Sequence, residues 1–242
     1  MNKESNKFYL APLVINESLA RGATKRLERE CIENINNLSI ISNGFKNLQK
    51  KCKAIFKDGT VSGFYIGEKE CLAMFVMFDQ QKNMFAGAYL AKINGKYSLY
   101  DCDMRFSKHS IQRLIQRLKT KSPRIEVAKA IHAQTKYGLT REPRKVINID
   151  DKWRSPGLND IDTAAPYIED GHLLGMWFFA QKSDINCTFV GSSVAKTFVD
   201  EVKLREPQYS KCMELYHKEK EATLCGEKMP NQDLLNANLA SC

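Results

Sequence analysis

The clearest periodic pattern of hydrophobic and polar residues lies at positions 105–118. Ser107 precedes it, and its hydroxyl can accept a hydrogen bond from a free amide of a first helical turn. Apolar residues then recur at the spacing of one helix face, with no Gly or Pro among them. They are Ile111, Leu114, Ile115 and Leu118. The pattern predicts a Ser-capped helix with one face that packs against a core.

The polar side of this predicted helix carries cations. His109, Arg113 and Arg117 are each four residues apart, so at about 100° per residue they stack nearly opposite the apolar face. Gln116 flanks them, and positions 105–118 contain no Asp or Glu. One face is therefore predicted to pack and the other to meet an anion.

Similar periodicity predicts further helices on both sides of this one. Pro123 suits the first turn of the helix that follows, and Gly138 is a predicted end for it. The predicted ranges are 18–37, 39–51, 124–137 and 209–224.

Short runs rich in β-branched and aromatic residues predict strands in two groups. Asp58-Gly59 and Asn94-Gly95 separate members of the first group, and such pairs favour hairpins. We expect an antiparallel meander from the runs 53–56, 61–66, 71–78, 84–90 and 97–101, its aromatic side chains forming a core or a base-stacking surface. The second group is 145–149, 172–180, its expected hairpin partner 185–190, and 194–199.

The segment 150–171 is acidic and has little regular pattern, which predicts a functional or partly disordered loop. Its acids are Asp150, Asp151, Asp160, Asp162, Glu169 and Asp170. Clustered carboxylates can bind divalent cations, but this spacing matches no known metal loop, so we expect no metal here. Pairing with the basic face, or contact with a protein partner through 150–170, are the alternatives.

The charge of the 242-residue chain is concentrated in one segment. The formal net charge is +9, and residues 106–145 hold eleven Lys or Arg against Glu126 and Glu142, a surplus of nine. Such a concentration favours a polyanion, nucleic acid before anionic membrane, although a solvated basic surface gives the same pattern.

Other features exclude several classes of protein. The eight cysteines include no CxxC pair, so we expect reduced thiols and a cytoplasmic protein rather than a disulfide scaffold. Cys212, His217 and Cys225 lack the paired spacing of a zinc site, and a surface helix is the favoured interpretation.

The run 8–15 lacks a signal-peptide pattern, and the longer apolar runs are too short to span a bilayer. No phosphate-binding loop or catalytic motif predicts a cofactor.

The order helix, helix, strand, long loop and three strands over 105–199 resembles a group of small bacterial and phage domains. Their first helix opens with a His followed by Arg at four-residue steps, and a late strand carries a Thr among β-branched residues. Here the matching positions are Phe106-Ser107-Lys108-His109, Arg113, Arg117 and Lys196-Thr197-Phe198-Val199. The group is similar to the RelE-like ribonuclease toxin fold, in which helices pack on an antiparallel sheet.

With this resemblance we expect an α+β protein in three parts. They are an N-terminal helical segment with its sheet at 1–104, a RelE-like unit of two helices on a second antiparallel sheet at 105–205, and a C-terminal helix and tail at 206–242. The sequence leaves open whether 1–104 forms a separate domain or shares one sheet with the rest.

The favoured functional hypothesis is a nucleic-acid-binding protein of a bacterial or phage accessory system, binding RNA rather than DNA. The predicted contact residues are Arg105, Lys108, Arg113, Gln116, Arg117, Lys121 and Arg124. The resemblance implies a second hypothesis, a metal-independent endoribonuclease that uses His109 as acid or base and Arg113 with Arg117 as phosphate clamps. Its second proton-transfer group stays open among His172, His132, Tyr137, Lys196 and an acid of the long loop. A protein-interaction module is the third hypothesis.

Overall fold

The computed structural model describes residues 15–38, 61–65, 71–93, 96–120, 122–140, 147–148, 163–169, 171–181 and 193–224. Within them the protein has the α+β class that the sequence predicts. The helices are α1 (Glu17–Leu38), α2 (Lys108–Leu118), α3 (Pro123–Thr140) and α4 (Glu206–Leu224), with a 3₁₀ turn at Glu201–Lys203. The strands are β1 (Val61–Tyr65), β2 (Cys71–Asp79), β3 (Met84–Ile93), β4 (Lys96–Ser107), β5 (Ile147–Asn148), β6 (Thr163–Glu169), β7 (His172–Gln181) and β8 (Ser193–Asp200).

The eight described strands form one sheet in the order β1-β2-β3-β4-β8-β7-β6-β5. Neighbouring strands are antiparallel except β4 and β8, which are parallel and pair Arg105 with Val194 and Phe106 with Ala195. The prediction of a second, separate sheet is therefore wrong, because the end of β4 joins the N-terminal meander to the C-terminal strands. The predicted division after residue 104 falls inside β4.

Three predicted details of the second half differ from the structure. Residues Thr163–Glu169, predicted to be loop, form β6, and helix α3 continues through Gly138 to Thr140. Strand β7 pairs with β6 on one side and β8 on the other, in place of the predicted hairpin with 185–190. Residues 185–190, the predicted helix 39–51 and the predicted strand 53–56 lie outside the described residues.

The largest described core lies between one face of the sheet and helices α1, α2 and α3. Its centre is aromatic: the Trp177 ring meets Phe106 edge-on at 5.0 Å between ring centroids and Phe198 at 4.9 Å. Phe75, Phe78 and Phe85 are also buried, as expected for core aromatics. These side chains are not exposed for base stacking.

Helix α4 covers the other face of the C-terminal half of the sheet. It packs Cys212 against a smaller cluster that includes Met176 and Phe178. Alternation along β7 therefore sends Trp177 to one core and its neighbours to the other.

Candidate nucleic-acid interface on helix α2

Helix α2 begins where its sequence predicts. The Ser107 side chain accepts a hydrogen bond from the Ser110 amide at 3.1 Å, and the Ser110 hydroxyl donates to the Ser107 carbonyl at 2.8 Å. The Ser107 hydroxyl also lies 3.4 Å from the Lys196 carbonyl oxygen of β8, to which it can donate. One serine therefore caps the helix and attaches its first turn to the sheet.

The predicted packing face is confirmed. Ile111, Leu114 and Ile115 are buried in the large core, and Leu118 packs against it. Because this face is directed at the sheet, the residues on the opposite side of α2 point away from the sheet.

The outer face of α2, defined here as His109, Arg113 and Gln116, is held together by hydrogen bonds. Arg113 Nε donates to His109 Nε2 at 3.4 Å, and Arg113 Nη1 donates to Gln116 Oε1 at 3.0 Å. Among the described residues, Arg113 makes no ion pair with a carboxylate. Within the part of the chain that the structure describes, its charge is therefore held by neutral neighbours.

Arg117 has a different environment, although it belongs to the same predicted row. Its Nη1 lies 3.3 Å from Oδ1 of Asp200, at the end of β8. Both side chains are about one-fifth exposed, at 22% and 19%. The three residues of the predicted cationic row therefore differ, because a carboxylate neutralises the last of them.

Two further predicted contact residues also pair with carboxylates, and both of these carboxylates belong to α1. Lys108 Nζ lies 2.8 Å from Glu28 Oε2 and 4.9 Å from the centre of the Phe78 ring. Arg124, in the first turn of α3, lies 3.0 Å from Glu30 Oε2. These cations fasten α1 to the starts of α2 and α3.

Arg105 lies on the opposite side of the sheet from α2. Alternation along β4 sends Phe106 into the large core and Arg105 to the other face, where Arg105 is only 3% exposed. Its Nε is 3.9 Å from Oδ2 of Asp79. Arg105, predicted to contact nucleic acid, therefore does not share the exposed surface of α2. Lys121, the remaining predicted contact, lies outside the described residues.

The pKa of His109 is lowered from its ordinary value. Partial burial is the main cause and the charge of Arg113 the second, while the carboxylate of Glu17 acts in the opposite direction. The imidazole is therefore neutral at pH 7, which agrees with Nε2 accepting from Arg113. A neutral imidazole can act as a base, but its remaining N–H is too weakly acidic to serve as a general acid at that pH.

The residues predicted to supply a second proton-transfer group are placed differently. His132 is enclosed on α3, and burial lowers its pKa to about 4. His172 is exposed at the start of β7, and the side chain of Tyr137 lies outside the described residues. Lys196 is exposed, and its carbonyl lies beside Ser107 at the start of α2. Of these four residues, Lys196 has a described contact at the start of α2, between its backbone carbonyl and the Ser107 hydroxyl.

The acidic segment does not neutralise the outer face of α2 within the part that the structure describes. Glu169 pairs with Lys129 of α3 at 2.6 Å. The acids at 150, 151, 160, 162 and 170 lie outside the described residues. In the described ranges, no three His, Cys, Asp or Glu side chains are grouped to hold a metal ion.

The described cysteines and helices add two observations. Cys31 and Cys212 are buried free thiols, and burial raises the pKa of each to about 12, so neither is a ready nucleophile. No helix in the described ranges is both long and apolar enough to cross a membrane.

The functionally relevant residues that the sequence did not reveal are the carboxylates. Asp200 lies 83 positions from Arg117, and Glu30 lies 94 positions from Arg124. Helical spacing identifies neighbours within one helix only, so no local pattern indicates these pairs.

Comparison of the chain with protein-family models, curated proteins and solved structures finds no match in any of the three. The resemblance to RelE-like domains therefore stays a prediction. The interpretation of the site depends on its own residues.

Proposed function

We propose that the chain binds the phosphate backbone of nucleic acid, RNA in preference to DNA, through the outer face of α2. The observation that carries this proposal is the environment of Arg113. Its guanidinium is partly exposed and is oriented by His109 and Gln116, and no carboxylate among the described residues is paired with it. Its remaining N–H groups, on Nη1 and Nη2, suit a two-pronged contact with phosphate oxygens.

The charge of the chain supports the same proposal. The net charge is +9, and the lysines and arginines of 106–145 exceed the acids there by nine. An excess of this kind attracts a polyanion from a distance and supplies sequence-independent affinity. Arg113 then provides a fixed contact within that broader field.

The structure narrows the set of residues proposed to touch the ligand. Lys108, Arg117 and Arg124 each bind a carboxylate, so phosphate would have to displace that partner. We therefore propose Arg113 as the main contact, with His109 and Gln116 beside it.

Fluorescence anisotropy with labelled RNA tests this proposal. The probes are a 20-nucleotide single strand, the matching RNA duplex and the matching DNA duplex, each titrated over a range of salt concentrations. We expect the wild-type chain to bind the RNA probes more tightly than the DNA, and its affinity to fall steeply with salt. Arg113→Gln should weaken binding and lower the slope of log K against log salt by about 0.7 on the single strand, because one phosphate contact is lost.

Two controls separate this contact from the general field. Lys211→Gln makes the same change of charge on α4, across the sheet, where Lys211 pairs with Glu214 at 2.8 Å. Arg117→Gln combined with Asp200→Asn removes the other arginine without changing the net charge. Both variants should keep nearly wild-type affinity. Absence of nucleic-acid binding by the wild-type chain at low salt would overturn the proposal and leave the protein-interaction hypothesis.

A metal-independent endoribonuclease is a second candidate, favoured by the contact between neutral His109 and the Arg113 guanidinium. In such a reaction the Arg113 guanidinium would turn from His109 Nε2 to the phosphate, where it stabilises the charge that develops, and the freed Nε2 would take the proton of a ribose 2′-hydroxyl. Lys196 is the candidate that we propose for protonating the leaving oxygen, because its carbonyl lies beside Ser107 at the start of α2.

Incubation of the chain with RNA in EDTA tests the chemistry. We expect cleavage that is lost in His109→Gln and is absent on a DNA strand, which has no 2′-hydroxyl. Binding without cleavage in the wild-type chain would leave the binding function alone.

A further inference from the structure

Helix α1 has a balanced sequence but an unbalanced surface. Its four basic residues, Arg21, Lys25, Arg26 and Arg29, are matched in number by Glu17, Glu28, Glu30 and Glu33. Sequence alone therefore suggests a neutral, solvated helix. The structure shows which of these acids pair with cations.

Two of the acids of α1 neutralise cations of other helices. Glu28 pairs with Lys108 of α2 at 2.8 Å, and Glu30 with Arg124 of α3 at 3.0 Å. Glu17 pairs with Arg21 at 2.7 Å and also lies near enough to His109 to affect its pKa. Of the four acids, Glu33 alone has no described cationic partner.

The remaining cations of α1 lie together on the side away from the core. Ala20, Thr24, Leu27 and Cys31 form the buried side of the helix. At about 100° per residue, Lys25, Arg26 and Arg29 point the opposite way, and all three are exposed. Among the described residues they make no ion pair. These three residues, here the α1 cationic strip, share that side with the single acid Glu33.

The α1 strip and the outer face of α2 lie on the same side of the sheet. Both helices bury their apolar sides in the same core on the same face of the sheet, so both polar sides point away from that face. The helices also touch each other, and the Glu28–Lys108 pair joins them. A strand lying on Arg113 can therefore extend across this helix contact toward the α1 strip.

We propose that an RNA strand bound at α2 continues onto α1, where Lys25, Arg26 and Arg29 contact its phosphates. Lys25 and Arg29 are separated by about 6 Å along the helix axis, at about 1.5 Å per residue, so the strip presents several cations within a short span. This inference rests on the proposed function of α2 and adds a second contact surface to it. The partner is a polyanionic strand, because net positive charge is the property that the strip and the outer face of α2 have in common.

The test uses two triple variants of the full chain that change its charge equally. The first is Lys25→Gln, Arg26→Gln and Arg29→Gln. The matched control is Lys82→Gln, Lys203→Gln and Lys211→Gln, which lie on the β2–β3 turn, the 3₁₀ turn and α4. Both lower the net charge by three, and glutamine has a helix propensity close to that of lysine and arginine.

With the 20-nucleotide RNA strand at low salt, we expect the α1 variant to bind at least tenfold more weakly than wild type. Its salt slope should be lower by about two, near the value of about 0.7 per lost contact for single strands. The control should lose less than threefold. Equal affinity of the two triple variants, with Arg113→Gln still impaired, would overturn this inference and leave the proposed function intact. Failure of the wild-type chain to bind any nucleic acid would overturn both.

Chemical protection in the wild-type chain gives an answer that does not depend on variants folding. Lysine acetylation followed by mass spectrometry should show Lys25 protected several-fold when the RNA strand is present. Lys203, which is exposed on the 3₁₀ turn, is the internal reference. Equal acetylation of Lys25 with and without bound RNA would contradict the inference.

Discussion

Helix α2 carries an arginine on its outer face and another on its edge against β8, and the two have different environments. Arg113 and Arg117 are one helical turn apart. Arg113 is bound by His109 and Gln116, whereas Arg117 reaches Asp200 on the sheet. The edge arginine is therefore neutralised within the fold, whereas the outer arginine meets no acid among the described residues, which leaves its charge available to the proposed ligand.

The same difference separates the other cations of this region. Lys108 and Arg124 face α1 and bind its glutamates, while Lys25 and Arg29 on the far side of α1 do not meet a described acid. Net charge alone cannot distinguish the paired cations from the cations on the far side of α1. This difference in pairing predicts that substitutions of the inward cations affect folding, whereas substitutions of the outward cations affect binding.

Arg105 should show the largest effect on folding. It is 3% exposed beside Asp79, so Arg105→Ala removes a buried charge and the packing of its aliphatic stem. We expect unfolding in urea to show a loss of about 3 kcal/mol in the free energy of unfolding. Arg105→Met keeps most of the stem and separates packing from charge. A loss below about 1 kcal/mol in Arg105→Ala would mean that Arg105 is not a structural cation.

Ser107 should show the next largest effect, because it fixes the start of α2. Ser107→Ala removes the acceptor for the Ser110 amide and the contact with the Lys196 carbonyl. We expect a loss of about 1 kcal/mol in the free energy of unfolding, measured in urea. Ser107→Asp restores a cap acceptor and should recover most of it; equal losses in both variants would contradict the capping role.

Arg117 and Asp200 should be coupled in a double-mutant cycle built from Arg117→Gln and Asp200→Asn. Their pair is about one-fifth exposed, so we expect a coupling of about 0.5–1 kcal/mol that decreases as salt is added. The same cycle with Arg113→Gln in place of Arg117→Gln should show a smaller coupling. An equal coupling free energy with Asp200 for Arg117 and Arg113 would contradict the proposed difference between the edge and the outer face of α2.

His109 should show the smallest effect on folding, through its pKa. Titration by NMR should give a value below the ordinary 6.5, and Arg113→Gln should raise it without restoring 6.5, because burial is the larger cause. A pKa lowered in the folded chain stabilises the fold above pH 6.5, and this stabilisation is lost as the pH falls through the folded pKa. Wild type should therefore lose more stability than His109→Gln between pH 7 and pH 5. A His109 pKa above 6.5 would contradict its placement.

Local patterns were sufficient to predict α2 and most of the described elements. The Ser107 cap and the spacing of Ile111, Leu114 and Ile115 are contained in one short segment, and the helix has those features. Strand β6 was missed because residues 163–167 are all buried, so no alternation of polar and apolar positions marks it. A strand covered on both faces is difficult to distinguish from other segments by period alone.

The candidate site was only partly predictable. Helical spacing correctly placed His109, Arg113 and Gln116 side by side. It could not show that Arg117 meets Asp200, which lies on β8, or that Arg105 belongs to β4 and lies on the other face of the sheet. The charge of a segment can be counted from sequence, but its pairing depends on contacts distant in the chain.

The parallel pairing of β4 with β8 also has a consequence for how the chain matures. The 3.4 Å approach of Ser107 to the Lys196 carbonyl joins positions 89 residues apart, and Asp200 follows on the same strand. A ribosome therefore releases α2 well before the strand that completes its surroundings, and closing so long a loop slows folding. Until β8 arrives, Arg117 has no Asp200 to bind, so the nascent chain presents a more strongly cationic helix than the finished protein.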